Sequence, residues 1–246
     1  LKEIIKLEAY KILTGENSSR SNVSRNTILL LLLIFLYVIG IRIPQFSSDN
    51  FLPDQDECVL GMMANHFLKG WHFPFFFYGQ HYGLSSLEVL LIAPFIKLFG
   101  ITTFAIKMPM LLLYMASITF LFLWIRNNLG LNYAFLITLF FVSEPTWLTW
   151  AMKARGGYLS ALFVGFYLLY QWQRESAWSK FYLLNAFLMG MLYHFHLLWF
   201  LAFAPLFIYY QQHLGFKSIL YAGLVVALTI AAFYLIAFTS EELWYK

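Results

Sequence analysis

The feature that most constrains this chain is the run from Ile28 to Ile43, nearly pure Leu, Ile, Val and Phe. A backbone with no water beside it must satisfy its own polar groups, and for a single such run that means a helix. The run can cross a bilayer with some local thinning, the usual need being roughly 17–25 residues. Arg42 at its end is expected to snorkel to head-group level. Further apolar runs at about 104–125, 132–150, 158–172, 182–195, 197–211 and 219–238 predict further spans. As one helix at ~1.5 Å per residue, the tract from Phe181 to Tyr210 would overshoot a ~30 Å core. It divides instead into two short spans meeting at His194 and His196, which gives seven spans in all.

Only 11% of the residues are charged, against about a quarter in soluble domains. Too few charges remain to cover a water-exposed surface, so the apolar excess must face lipid. The expected fold is therefore an all-α polytopic transmembrane helix bundle. Residues 1–27 form a polar, basic N-terminal segment, placed in the cytoplasm, ahead of a membrane domain over 28–246. With that orientation the inner segments hold Lys2, Lys6, Lys11, Arg20, Arg25, Arg126, Arg174, Lys180 and Lys217. The acids there are Glu3, Glu8, Glu16 and Glu175, a bias that agrees with positive-inside topology. The inverted path would put the acidic loop in the cytoplasm and reverse that bias. No secretory cleavage pattern precedes the first span, so the span should be retained. The single cysteine, Cys58, rules out an intrachain disulfide and a Cys-based metal site. Starting at Leu1 and stopping at Lys246 just after an apolar stretch, the chain reads as a fragment of a longer protein.

Between Pro44 and about Thr103 the chain changes character. It carries Asp49, Asp54, Asp56, Glu57 and Glu88, several prolines and aromatic clusters such as WHFPFFFYGQHY. This outer-face loop, residues 44–103, is expected to hold two short helices lying at the interface. In LPDQDECVLGMMANHFLKG, residues 52–70, Pro53 and Asp54 are a helix start and Gly70 a stop. Asp54 and Glu57 fit a capping box. Asp56 differs, because at i, i+4, i+7 and i+11 it shares an apolar stripe with Leu60, Met63 and Phe67. Cys58, Asn65, His66 and Lys69 take the opposite face. A carboxylate heading a buried stripe is expensive unless used; the competing account is a helix-start charge favoured by the dipole.

The second constellation is FYGQHYGLSSLEVLLIAPFIKLFG, residues 77–100. Ser85 and Glu88 again match a capping box, Pro94 interrupts the helix and Gly100 ends it. The piece left is too short to span, so a re-entrant or interfacial helix is expected. Tyr78, Gln80, His81 and Tyr82, with Glu88, could bind a sugar by hydrogen bonds and stacking; an interfacial aromatic belt would use the same rings. The third is SEPTWLTWAMKARGGY, residues 143–158, at the next outer turn. There Glu144, Lys153 and Arg155 lie where two spans meet, with Trp147 and Trp150 at interface depth. Lys153 and Arg155 suit an anionic head group, Arg in bidentate fashion, or they snorkel to bulk lipid. His194 and His196 form the fourth. H-x-H on a helix points two ways, so it makes a poor chelate, and a capped turn is the commoner role. Nucleotide-binding glycine loops and HExxH are absent. No Asp, Glu, Lys or Arg falls mid-span, which counts against ion-coupled transport.

Taken in order, these elements resemble the glycosyltransferases of the C-type membrane fold (GT-C-like), within them the family 39, protein-mannosyltransferase-like group. The residues that carry the likeness are Asp56–Glu57 with GMMANHFLKG, the tract FFYGQHYGLSSLEVLLIAPFIKLFG, and Lys107 in FAIKMP, where the family usually has Arg. It covers residues 28 to about 200. The resemblance implies transfer of a sugar from a polyprenyl-phosphate donor to a glycan, lipid or protein acceptor on the outer face of a bacterial-type plasma membrane, usually with inversion. Asp56 would match the general base and Glu57 the neighbour that orients the site. Basic residues at later outer turns hold the lipid phosphate in the family. Lys153 and Arg155 occupy one such turn, and His194 and His196 stand where some members carry Lys. Members are commonly longer and add an outer domain. The expected partners are the donor and membrane lipid, not nucleic acid. The one cofactor candidate is a divalent cation. The competing function is a multi-span transporter or lipid flippase without catalysis; a polysaccharide polymerase shares the topology.

Overall fold

The computed structural model describes residues 24–46, 51–71, 73, 75–80, 82–173, 175–212 and 214–244. The basic segment is thereby described only from Ser24, and His81 lies outside the described residues. Among the described residues every named element is a helix. Ser24 opens α1 (Arg25–Gly40), its hydroxyl accepting the Thr27 amide at 3.3 Å, and α2 (Ile43–Phe46) continues it after one turn. Then come α3 (Gln55–Leu68), α4 (Ser86–Phe99), α5 (Thr103–Leu129), α6 (Leu131–Ser143), α7 (Pro145–Trp150) and α8 (Tyr158–Trp172). The chain closes with α9 (Glu175–Phe195), α10 (Leu197–Gln212) and α11 (Phe216–Trp244).

Three helices, Arg25–Phe46, Thr103–Leu129 and Phe216–Phe238, are long and apolar enough to cross a membrane. Only 22% of the first one's apolar window and 11% of the last one's are buried, so the first presents leucines and isoleucines outward along most of its length and the last leucines and aromatic rings. A water-facing surface does not carry continuous apolar rows of this kind. The chain is a membrane protein. α5 is 56% buried and forms the centre, packed against α4, α6 and α8. The tract from Phe181 to Tyr210 is broken as expected, with α9 ending at Phe195 and α10 starting at Leu197.

Three local expectations are overturned. The run 132–150 is not one span: it breaks at Glu144, which caps α7 by accepting the Trp147 amide at 3.3 Å, with Pro145 at the first helical position. The 13 residues of α6 reach only about 20 Å. Arg42 does not snorkel; it is fully buried, donating to the Val38 carbonyl at 2.7 Å and the Trp147 carbonyl at 2.9 Å. It thereby ties the end of α1 to α7. Pro94 does not interrupt α4, which runs through it to Gly100, where φ is 72°.

Two apolar cores meet along α8. Leu159, Leu162 and Phe166 face the first, with α3 to α6; Ala161, Val164, Leu168 and Trp172 face the second, with α9 to α11. α9 and α11 approach closely because Gly190 has no side chain: a Cβ there would sit 2.6 Å from the Thr229 Cβ. Small residues permit such helix contacts in membranes.

Candidate functional site

α3 begins at Asp54, and its cap is the box read from sequence. Asp54 accepts the Glu57 amide at 3.1 Å, and Glu57 accepts the Asp54 amide at 2.8 Å. Each carboxylate also has a second, long-range duty. Asp54 Oδ2 accepts Lys153 Nζ at 3.1 Å and Arg155 Nη2, which ties the start of α3 to the loop after α7. Burial pushes the Asp54 carboxyl up, but the Glu57 amide, Lys153 and Arg155 outweigh it and leave it below the usual carboxylate value. Both Glu57 oxygens lie 2.7 Å from Lys107 Nζ on α5, with Glu57 1% exposed and Lys107 6%.

The helical face of α3 therefore differs from expectation. Its buried residues are Glu57, Leu60, Gly61, Met63 and Ala64, so Glu57, not Asp56, heads the buried stripe. Asp56 sits one step round the helix with 47% of its side chain exposed, and its Oδ2 lies 3.2 Å from Arg155 Nη1. The Arg155 guanidinium also lies over the Trp150 ring, 5.1 Å from its centroid.

Glu88 is another correction. Ser85 makes no side-chain cap on α4; its hydroxyl donates to the Gly83 carbonyl at 2.9 Å. Glu88 is fully buried and accepts the amides of Arg155 at 3.2 Å, Gly156 at 3.0 Å and Gly157 at 3.0 Å, with the Ser160 hydroxyl at 3.3 Å. Successive amides around an anion make a nest, here built from a loop and the start of α8. Burial pushes the Glu88 carboxyl up, and these four donors oppose the shift. The nest needs Gly157 at φ 108°, where a Cβ would lie 2.7 Å from the Phe195 carbonyl oxygen. Both Glu88 oxygens are committed to this loop, so it fixes Arg155 from behind and does not reach the cavity.

In front of Arg155 opens a cavity of about 510 Å³, in the range of small-ligand sites. Asp56, Gln80, Tyr82, Arg155, His194 and His196 supply its polar wall. The loop from Phe75 to Ser85 brings Gln80 and Tyr82 there through a short antiparallel bridge of Phe76 with Leu84. The Leu84 amide then donates to the His194 carbonyl at 3.0 Å, joining that loop to the end of α9. His194 Nε2 donates to the Ile230 carbonyl at 3.1 Å, while His196 packs edge-on against Tyr158, centroids 4.7 Å apart. Burial lowers the His196 pKa.

Asp56, Gln80, Tyr82, Arg155 and His194 are thus brought to one cavity. Lys153 stays behind it on Asp54, Glu57 is sealed against Lys107, and Tyr78 turns to His66 Nδ1 at 3.1 Å. Burial raises the Tyr78 hydroxyl. Sequence reasoning missed Tyr158, Tyr193 and Tyr234 as wall residues. Tyr193 and Tyr234, on α9 and α11, share a hydrogen bond at 2.8 Å, and no local pattern links positions so far apart. Among the described residues no group of three or more His, Cys, Asp or Glu is placed to hold a metal ion. Asp54 and Asp56 are bridged by cations, so the donor set does not fit a divalent cation. No family model matches the chain, and no curated protein or solved structure matches it either.

Proposed function

We propose that this chain is a polytopic membrane glycosyltransferase with a C-type fold, moving a sugar from a polyprenyl-phosphate donor to an acceptor hydroxyl. One observation carries the reading: a half-exposed carboxylate, Asp56, and a guanidinium, Arg155, line the same cavity beside Gln80 and aromatic walls. Glycosyl transfer from a phosphate needs a base for the acceptor and a cation for the leaving group. The acceptor oxygen attacks the anomeric carbon opposite the phosphate and its proton passes to Asp56, which has first to part from Arg155 Nη1, 3.2 Å away, to reach that face. The bond from the anomeric carbon to the phosphate oxygen breaks, and its electron pair leaves on the phosphate, next to Arg155. The products are the glycosylated acceptor with inverted configuration, the polyprenyl phosphate and a proton on Asp56. Tyr82 and Tyr158 offer ring faces for the sugar, and Gln80 offers hydrogen bonds.

The membrane setting supports the same reading. A lipid-linked donor calls for a site at head-group depth, and short helices such as α3 and α4 suit an interfacial position. In this reading the N-terminus is cytoplasmic and the cavity opens on the outer face, where Arg155 meets the donor phosphate. The deciding experiment compares sugar transfer from a labelled polyprenyl-phosphate sugar in membranes containing the wild type or Asp56→Asn. Loss of transfer by at least about 100-fold, the scale of general-base catalysis, is expected at unchanged expression. A variant that still transfers sugar removes Asp56 as the base.

A further inference from the structure

We propose that the Asp56–Arg155 pair is an exchangeable latch: a phosphate ester entering the cavity takes Arg155 Nη1 from Asp56, and that exchange frees Asp56 to act as a base. The inference rests on the glycosyltransferase reading and adds an order of events to it. Among the described residues lining the cavity, Asp56 and Arg155 are the only Asp, Glu, Lys or Arg, and they are paired with each other. Lys153 is spent on Asp54 behind the wall, and Lys107 on Glu57. An entering anion therefore has one full cation to use, already neutralised by Asp56.

The two arms of the Arg155 fork are unequal. Nη2 is held by Asp54, and Asp54 is itself fixed by the Glu57 amide and by Lys153. The Arg155 backbone is fixed as well, its amide donating to Glu88 at 3.2 Å. Nη1 reaches Asp56 at 3.2 Å as an ion pair, with 47% of the Asp56 side chain exposed. A partly exposed pair of this kind is weak, so a donor phosphodiester, a single negative charge like Asp56 itself, takes its place at Nη1 without disturbing the Asp54 anchor. A planar fork keeps its geometry through such an exchange, which a lysine ammonium would not.

The consequence is compulsory order. While Arg155 Nη1 holds Asp56 Oδ2 at 3.2 Å, that oxygen is engaged and is not open to an acceptor hydroxyl. Once a phosphate holds Nη1, Asp56 faces the cavity without a cation. A phosphate-bearing donor thus arms the base that the acceptor hydroxyl needs, and the acceptor is not activated in the donor's absence.

Direct binding tests this in the full chain, reconstituted in phosphatidylcholine nanodiscs. A short-chain polyprenyl monophosphate is titrated against wild type, Asp56→Asn and Arg155→Gln, with inorganic phosphate and phosphatidylglycerol in parallel. Removing the competing carboxylate is expected to tighten polyprenyl phosphate binding roughly three- to tenfold, the worth of a partly exposed charge contact. Arg155→Gln is expected to abolish binding. Asp56→Ala serves as a second removal, and an unchanged apparent Tm in either variant confirms folding. Measurable wild-type binding that Asp56→Asn leaves unchanged or weakens overturns the latch and leaves the enzyme reading standing. Absence of binding in every folded variant overturns both. An equal gain for all three probes upholds the exchange and assigns it to any phosphate; a gain confined to the polyprenyl phosphate assigns it to the polyprenyl-phosphate group that donor and product share.

Discussion

Glu57→Gln isolates the contact on which the position of α3 depends. Glu57 and Lys107 are 50 residues apart in sequence, with both carboxylate oxygens 2.7 Å from the ammonium. At an effective dielectric of about 20 the attraction at that distance is about 6 kcal/mol, before several kcal/mol of desolvation for each ion. The net worth of the pair is therefore small, but breaking it is not. Gln turns an amide N–H₂ toward the ammonium, so Lys107, 6% exposed, is left as a buried charge with one acceptor at best. Such a loss costs about 3–5 kcal/mol. For a chain of this size that is roughly 6–20 °C in apparent Tm. Lys107→Met alone should cost less, because Glu57 keeps the Asp54 amide as a donor at 2.8 Å. The double variant removes both charges and should recover most of the Glu57→Gln loss. The assay is a thermal scan of the detergent-solubilised protein, read by size-exclusion fluorescence, on all four members of the cycle. If the double variant loses as much as the two singles added together, the pair is not coupled and Glu57 does not hold α3 to α5.

Two further outcomes follow from the loop behind Arg155 and the cap of α3. Glu88→Gln replaces one acceptor oxygen by a donor that faces backbone amides, which should cost about 1–3 kcal/mol. It should also slow sugar transfer about tenfold by releasing the Arg155 loop; transfer and apparent Tm both at wild-type values would remove Glu88 as its positioning residue. Asp54 is held below its ordinary value despite burial, because the Glu57 amide, Lys153 and Arg155 favour its charged form. Its contribution is therefore full above the unfolded value of about 4 and lost as pH falls through the lower folded value. Thermal scans from pH 6 to pH 3 should show a steeper loss for wild type than for Asp54→Asn, and parallel curves would show that the Lys153 and Arg155 contacts do not stabilise the fold.

What could be read from the sequence tracks the range of the interaction that decides each feature. The Asp54–Glu57 box closes within three residues, and it forms as the pattern predicts. The break at His196 and the stop at Gly100 are equally local. The phase of α3 is not. Leu60 and Met63 are buried whether the stripe is headed by Asp56 or by Glu57, so the apolar residues alone leave its edge undecided by about one residue, or ~100° of helix. Lys107 decides it, because a buried ammonium draws the nearer carboxylate inward, and that partner lies on another helix. Glu88 shows the same competition inside a single motif. The S-x-x-E spacing offers it one amide at the head of α4, whereas the loop at Arg155–Gly157 with Ser160 offers four donors. A buried carboxylate takes the larger set, since each lone pair left without a donor in a dry site costs more than a local cap returns. Arg42 follows from the same reasoning: two backbone carbonyls, one on α7, outbid the head-group water that its place near the end of a span would suggest. The polar residues of this chain go where the most donors or acceptors converge, and in a helical membrane protein those points are assembled from segments far apart in sequence.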